Sequence, residues 1–164
     1  QQPFKGYNNI FAVIWTTTPW TIPCNRALAY NVNLKYGIFE NEKKEKLLIA
    51  EDLLQNFQET TKVKLKKIDT FEGKELKNLT ANHPLKDLGY NFNVQFLEAD
   101  FVTTDQGTGI VHVAPSHGPD DFMLGLKNNI PAENTINDSG YYTDIIKHFS
   151  GTHIFKADKV VISE

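Results

Sequence analysis

The chain has one cysteine, Cys24, in 164 residues. That excludes an internal disulfide and any metal site built from several thiolates, and a reducing cytoplasm is the compartment that fits. No apolar run approaches the roughly 18–20 residues of a membrane-spanning helix. The opening Gln1-Gln2-Pro3-Phe4-Lys5 has neither the length nor the apolar centre of a signal peptide. Positive charge is not in excess: 17 Lys and Arg against 20 Asp and Glu give a formal net charge of −3. Attraction to nucleic acid must therefore come from local patches or from a larger protein body. There is no His-Glu-x-x-His, no cysteine pair and no second cluster to make metal ligands of His112 and His117, so no metal is expected. A Gly-x-Ser-x-Gly elbow is also missing, and Ser116 has no nucleophile signature around it. Internal repeats and low-complexity tracts are absent.

What remains is an ordinary composition, 40% hydrophobic and 23% charged, long enough for one domain with a real core. Its organising stretch is Trp15-Thr16-Thr17-Thr18-Pro19-Trp20-Thr21-Ile22-Pro23-Cys24-Asn25. The apolar run 10–15 before it reads as a buried strand. Two prolines, each without an N–H and with a fixed φ, make a continuing strand or helix unfavourable, so 16–25 is expected to be a rigid loop. Thr16, Thr17, Thr18 and Thr21 between two tryptophans present short hydroxyls and methyls of fixed shape. Such a wall suits a small pocket that measures a ligand's size. Threonines chosen for β-propensity at a strand end would read the same way.

Further along, 27–30 is a short strand, and 36–40 with 46–50 form a hairpin whose tip, 41–45, is charged. Leu53, Leu54 and Phe57 fall at helical spacing behind Glu51-Asp52, predicting a helix over 51–61. A strand is expected from Val63 to Phe71, which would put Lys62, Lys64 and Lys66 on one face, either solvated or touching RNA. The segment 73–90 reads as loop with short turns. Strands are expected over 94–101 and 110–113, with a turn at 103–109. Pro119 opens a helix carrying Phe122, Met123, Leu124 and Leu126. Residues 130–143 read as loop, followed by short helices at 144–149 and about 153–158. Many short strands with few helices indicate a β-rich α+β domain, barrel or sandwich.

A second stretch, Gly107-Thr108-Gly109-Ile110-Val111-His112-Val113-Ala114-Pro115 through Asp121, carries candidate chemistry. Gly109 allows close approach of a ligand to the backbone, or a tight turn. His112 lies within an apolar strand, as a core residue or in the wall of a cleft. Pro119 fits the first helical position, making Gly118 the N-cap and Asp121 the third residue of the helix. Asp121 is then either a charge that complements the helix dipole or, with Asp120 filling that role, a carboxylate free to hold a cation.

These two stretches, about 26 residues in the same order, resemble the threonine-rich peptide and the second signature of the editing domain of isoleucyl-tRNA synthetases. The Thr-Thr-Arg-Pro version of the valyl and leucyl enzymes is not found here. The resemblance implies a closed six-stranded β-barrel decorated with short helices. It implies hydrolysis of valine esterified to the tRNA for isoleucine, and of valyl-adenylate. Asp121 would hold the substrate's α-ammonium, and Thr16, Thr17 and Thr18 would line the pocket and position water. His112 would separate valine from isoleucine. Trp15, Trp20, Thr21, Asn25 and Gly109 would complete the binding site, with Thr21 and Asn25 supporting the loop or touching the terminal adenosine. No general base stands out, so a substrate ribose hydroxyl and backbone N–H groups of the loop would assist. The ATP-site signatures His-x-Gly-His and Lys-Met-Ser-Lys-Ser are missing. Residues 1–164 are thus expected to be a single editing domain excised from a larger synthetase, monomeric and cytoplasmic. Its expected partners are the tRNA acceptor end, the aminoacyl-adenylate and the rest of the synthetase chain, with no membrane. It would need no cofactor, ATP and Mg²⁺ belonging to the missing catalytic body. Two rivals remain: a non-catalytic module that docks the tRNA end, and an editing domain of the valyl type.

Overall fold

A computed structural model describes residue 4 and residues 6–164. Most of the opening segment, read above as lacking a signal peptide, lies outside the described residues. Eight strands and three α-helices are present among them: β1 Ile10–Ala12, β2 Ala27–Tyr30, β3 Lys35–Glu40, β4 Lys46–Ala50, α1 Leu54–Thr61, β5 Lys66–Glu72, β6 Thr80–Asn82, β7 Asn93–Glu98, β8 Ile110–Val113, α2 Pro119–Lys127 and α3 Ile154–Ser163. No helix among the described residues is long and apolar enough to cross a membrane.

The strands form two sheets of four, ordered β1-β4-β3-β5 and β6-β7-β2-β8. The mixed, β-rich class is as expected; the closed six-stranded barrel is not found. In a closed barrel every strand carries a ladder on both sides. Here β1, β5, β6 and β8 are sheet edges with one strand neighbour each. Of the run 10–15, Ile10–Ala12 is strand, and Val13 still donates to the Leu48 carbonyl at 3.3 Å before the chain runs on to the threonines.

The chain divides into two compact units. One comprises Gln1–Trp15, Leu28–Leu79 and Phe96–Val111, the other Thr16–Ala27, Thr80–Gln95 and His112–Glu164. In the first, β3 and β4 form the expected antiparallel hairpin, with Ile38 opposite Leu48 and Gly37 opposite Ile49. Ile38, Phe39, Leu48, Ile49 and Leu53 are fully buried there, each side chain contributing roughly 1.5–3 kcal/mol. The helix predicted over 51–61 is a 3-10 turn, Glu51–Leu53, running into α1. The strand predicted from Val63 begins only at Lys66. Lys62 caps α1 in the left-handed region, φ 61°, so Lys62, Lys64 and Lys66 do not form one strand face.

The core of the second unit gathers Cys24, Leu85, Tyr90, Ala114, Tyr142, Ile146, Phe149, Ala157 and Val161. The helix expected at 144–149 is replaced by turns, because His148 takes a φ of 42°, which a right-handed helix cannot include. Its apolar residues Ile146 and Phe149 are buried all the same. The helix expected near 153–158 is α3, and it runs on to Ser163. A short strand, β6, lies in the segment read as loop and pairs antiparallel with β7.

Candidate functional site

The threonine stretch does not stay an irregular loop. Pro19–Cys24 winds into a 3-10 helix with Pro19 at its start, where a missing N–H costs nothing. Pro23 lies inside this helix and cannot donate to the carbonyl of Trp20. The Tyr142 hydroxyl donates to that carbonyl instead. The Trp20 N–H is taken by Asp158 Oδ1 at 3.0 Å, and the Trp20 ring meets His117 edge-on at 5.0 Å. Neither tyrosine nor aspartate was legible as a site residue, since each lies more than a hundred positions away.

His83 holds the far end of the same turn. Its Nδ1 accepts from the Leu85 N–H at 3.1 Å, so Nε2 carries the proton and donates to the Ile22 carbonyl at 3.1 Å. Burial is the main force that pushes this imidazole from 6.5 to about 4; Arg26 and His112 add to the push and the Ile22 bond opposes it. The unfolded chain therefore binds a proton that the folded chain refuses. The stabilisation is complete above pH 6.5 and is lost as pH falls from 6.5 through about 4. Urea unfolding at pH 7 and pH 5 is expected to show about 2 kcal/mol of extra loss in the wild type compared with His83→Phe. Equal losses in both proteins would remove His83 as the cause.

Within the turn, Thr16 Oγ1 accepts from the Thr18 N–H at 3.0 Å and lies 3.3 Å from Thr18 Oγ1. The Thr21 N–H goes to the Thr18 carbonyl at 2.9 Å. The N–H groups of Thr18, Trp20 and Thr21 are thus all engaged internally. Those of Thr16 and Thr17 have no protein partner among the described residues, which narrows the backbone donors available to a ligand to these two. Thr16 is half-buried, and Thr17 and Thr18 are exposed.

Thr21 is 5% exposed and reaches His112, its Oγ1 lying 3.1 Å from Nε2. Burial, then the nearby His117, pushes His112 below the usual imidazole range, so the ring is neutral at neutral pH. Asn25 is buried and accepts from the Val113 N–H at 3.2 Å, while the Arg26 N–H donates to the Val113 carbonyl at 2.8 Å. Asn25 therefore braces the end of the turn against the last residues of β8.

Asp121 occupies the third position of α2 behind Gly118 and Pro119, as predicted. Its Oδ2 accepts from the Ala114 N–H at 2.8 Å. Its Oδ1 has no hydrogen-bond partner among the described residues. Burial pushes this carboxyl up, the Ala114 bond partly opposes the push, and Asp120 adds to it. A half-buried carboxylate with one idle oxygen gains from any cation brought beside it.

The structure thus brings Thr16, Thr17, Thr18, Trp20, Thr21, Asn25, His112 and Asp121 into one unit. Trp15 and Gly109 fall in the other. Trp15 is 52% exposed. Gly109 is required by packing: its φ is +76°, and a Cβ there would come 2.3 Å from Cβ of Ala50. An open groove of about 720 Å³ runs along His117, Gly118, Pro119 and Phe122. It is lined by neither Asp121 nor the threonines. His117 Nε2 lies 2.7 Å from Thr135 Oγ1. Cys24, buried next to Thr135, has its thiol pushed up to about 11 by that burial and is chemically quiet. Among the described residues no three His, Cys, Asp or Glu side chains converge as a metal site.

Comparison with known proteins shows what this arrangement is similar to. The family model described as leucyl-tRNA synthetase, editing domain, matches residues 10–158. The isoleucine–tRNA ligase of Pelagibacter ubique is 49% identical over 98% of this chain and 18% of its own length. That of Gluconobacter oxydans is 44% identical over 94% of this chain and 17% of its own. The chain thus spans under a fifth of these relatives. In fold it is similar to the crystal structure of GlLeuRS-CP1, with a TM-score of 0.74 at 17% identity over 95% of this chain and 80% of that one. The P. knowlesi cytosolic leucyl-tRNA synthetase editing domain gives 0.67 at 12% identity, over 94% and 80%. With a family model matching nearly its whole length, the chain belongs to the family of aminoacyl-tRNA synthetase editing domains.

Proposed function

We propose that this chain hydrolyses valine wrongly esterified to the tRNA for isoleucine, and valyl-adenylate, as the proofreading module of an isoleucine–tRNA ligase in the cytoplasm. The observation that carries the proposal is the idle Oδ1 of Asp121 in the same unit as the threonine turn and His112. The identity to isoleucine–tRNA ligases supports the choice of amino acid. One methylene in an apolar pocket separates isoleucine from valine by only about 150-fold, which cannot keep valine out of a site built for isoleucine. Isoleucine enzymes are the standard case of this discrimination problem, and a second, hydrolytic site solves it.

The chemistry asked of the protein is modest, because an aminoacyl ester is already activated and a positioned water suffices. Asp121 holds the ammonium. Thr16, Thr17 and Thr18 offer hydroxyls, and the N–H groups of Thr16 and Thr17, without a protein partner among the described residues, are left to stabilise the developing oxyanion. Trp20 and Asn25 hold the turn in shape. No step needs a metal or cofactor; ATP and Mg²⁺ belong to amino-acid activation in the rest of the ligase. The tRNA acceptor end is the partner, the rest of the ligase supplies most of its grip, and the protein acts as a monomer. A deacylation assay on valyl-tRNA for isoleucine, alone and within the full ligase, tests the proposal. Release of valine is expected; tRNA binding without release in both formats would make the chain a docking module.

A further inference from the structure

Thr21 has one hydroxyl proton and two polar neighbours. One is the Thr18 carbonyl, 2.9 Å from Oγ1, which can only accept. The hydroxyl donates to it. Towards His112 Nε2, 3.1 Å away, the hydroxyl oxygen is then an acceptor, and Nε2 must carry hydrogen. The neutral ring has only one N–H, so Nδ1 is a bare lone pair. That atom is buried and has no partner among the described residues. Burial without a partner is unfavourable for so strong an acceptor, and it marks a place where a donor belongs.

We propose that Thr21 is a positioning residue for His112: its hydroxyl locks the imidazole as the Nε2–H tautomer and leaves Nδ1 as a ready acceptor for an O–H or N–H donor entering the site. The proposal rests on the function argued above only for the occupant, because the tautomer follows from Thr18, Thr21 and His112 alone. It makes the Thr21 hydroxyl, rather than its methyl, the feature that matters. It also gives His112 a polar contact besides its bulk. The carbonyl of Thr18 is the fixed end of the chain, since it also receives the Thr21 N–H and so cannot turn away.

The test is long-range ¹H–¹⁵N correlation on the protein with ¹⁵N-labelled histidine at neutral pH. His112 in the wild type is expected to show a protonated Nε2 and an unprotonated Nδ1. In Thr21→Val, which keeps the shape and removes the hydroxyl, the Nδ1–H form should rise about tenfold. Thr21→Ser, which keeps the hydroxyl and removes a methyl, should restore the wild-type pattern. Adding a non-hydrolysable valyl-adenosine analogue should shift Nδ1 in the wild type. A wild-type ring protonated at Nδ1, or a Val variant with the wild-type pattern, would overturn the proposal. Should Val fail to fold, loss of the Nε2–H pattern in Ser would overturn it equally. The tautomer is read without any turnover. An inactive protein with the expected tautomer therefore counts against the proposed function and leaves the positioning role standing.

Discussion

Asp121→Ala is expected to abolish deacylation of valyl-tRNA while leaving the protein folded. The carboxylate makes one intramolecular bond, from the Ala114 N–H to Oδ2, and its Oδ1 is idle. Loss of that single bond leaves one N–H near the start of α2 without its acceptor, a cost of about 1–3 kcal/mol. Loss of the charge removes the proposed counter-ion of the substrate ammonium. Truncating one partner of a desolvated, hydrogen-bonded charge pair costs about 2–5 kcal/mol, so activity should fall by at least about thirtyfold. Asp121→Asn separates the two roles. Its amide oxygen still accepts from Ala114, but it carries no charge, so the fold should match the wild type and activity should fall as far as in the alanine variant. Circular dichroism with single-turnover deacylation reads both. Full activity in Asn would make Asp121 a brace for α2 and leave the ammonium to another group.

The second large effect is a change of specificity. Attraction favours isoleucine over valine by the value of one methylene, so sparing isoleucine needs a clash. Forcing an extra methylene into a packed site costs about 1–3 kcal/mol. His112 is suited to impose that cost because the ring is held: its Nε2 lies 3.1 Å from Thr21, itself buried and tied to the Thr18 carbonyl. A flexible side chain would yield, whereas a ring fixed at one end does not. His112→Ala should raise hydrolysis of correctly charged isoleucyl-tRNA by about ten- to a hundredfold, and leave valyl-tRNA hydrolysis within a few-fold of the wild type. Both esters need measuring in the wild type and the mutant, in the full ligase if the module alone is slow. A mutant that loses valine hydrolysis yet still spares isoleucine would assign His112 to the chemistry and place the gate elsewhere.

The structure also shows what several of the candidate residues touch. Gly109 reads in the sequence as a place where a ligand can approach the backbone, but Ala50 occupies the space a Cβ would need. The Oδ1 of Asn25 accepts from the Val113 N–H. Most of the N–H groups in the threonine turn are committed within the protein, so the hydroxyls and the N–H groups of Thr16 and Thr17 carry the polar contacts left for a substrate. The stability of the turn is distributed among Tyr142 and Asp158, each of which meets a backbone group that a 3-10 helix interrupted by proline leaves over, and His83, which adds a second bond to the Ile22 carbonyl already capped by the Asn25 N–H.

By itself the sequence determined whatever is decided within a few residues. The hairpin of β3 and β4, the helix following Glu51-Asp52, strand β8 and the start of α2 at Gly118-Pro119 all obey local periodicity and turn chemistry, and all were legible. The two signatures were legible too, because the order of residue types survives in the chain whatever its fold. Tertiary structure decided the rest. Lys62 and His148 adopt positive φ, and that kept Lys62 off the predicted lysine face in one case and prevented a helix in the other. Edge strands without second neighbours left two open sheets where a closed barrel was expected. The contacts that shape the site, Thr21 with His112 and Trp20 with Asp158, join residues 91 and 138 positions apart. A hydroxyl or a carboxylate in the sequence has many possible partners. Which it takes depends on which backbone groups the folded chain leaves unsatisfied beside it, and that is settled only when distant segments pack together.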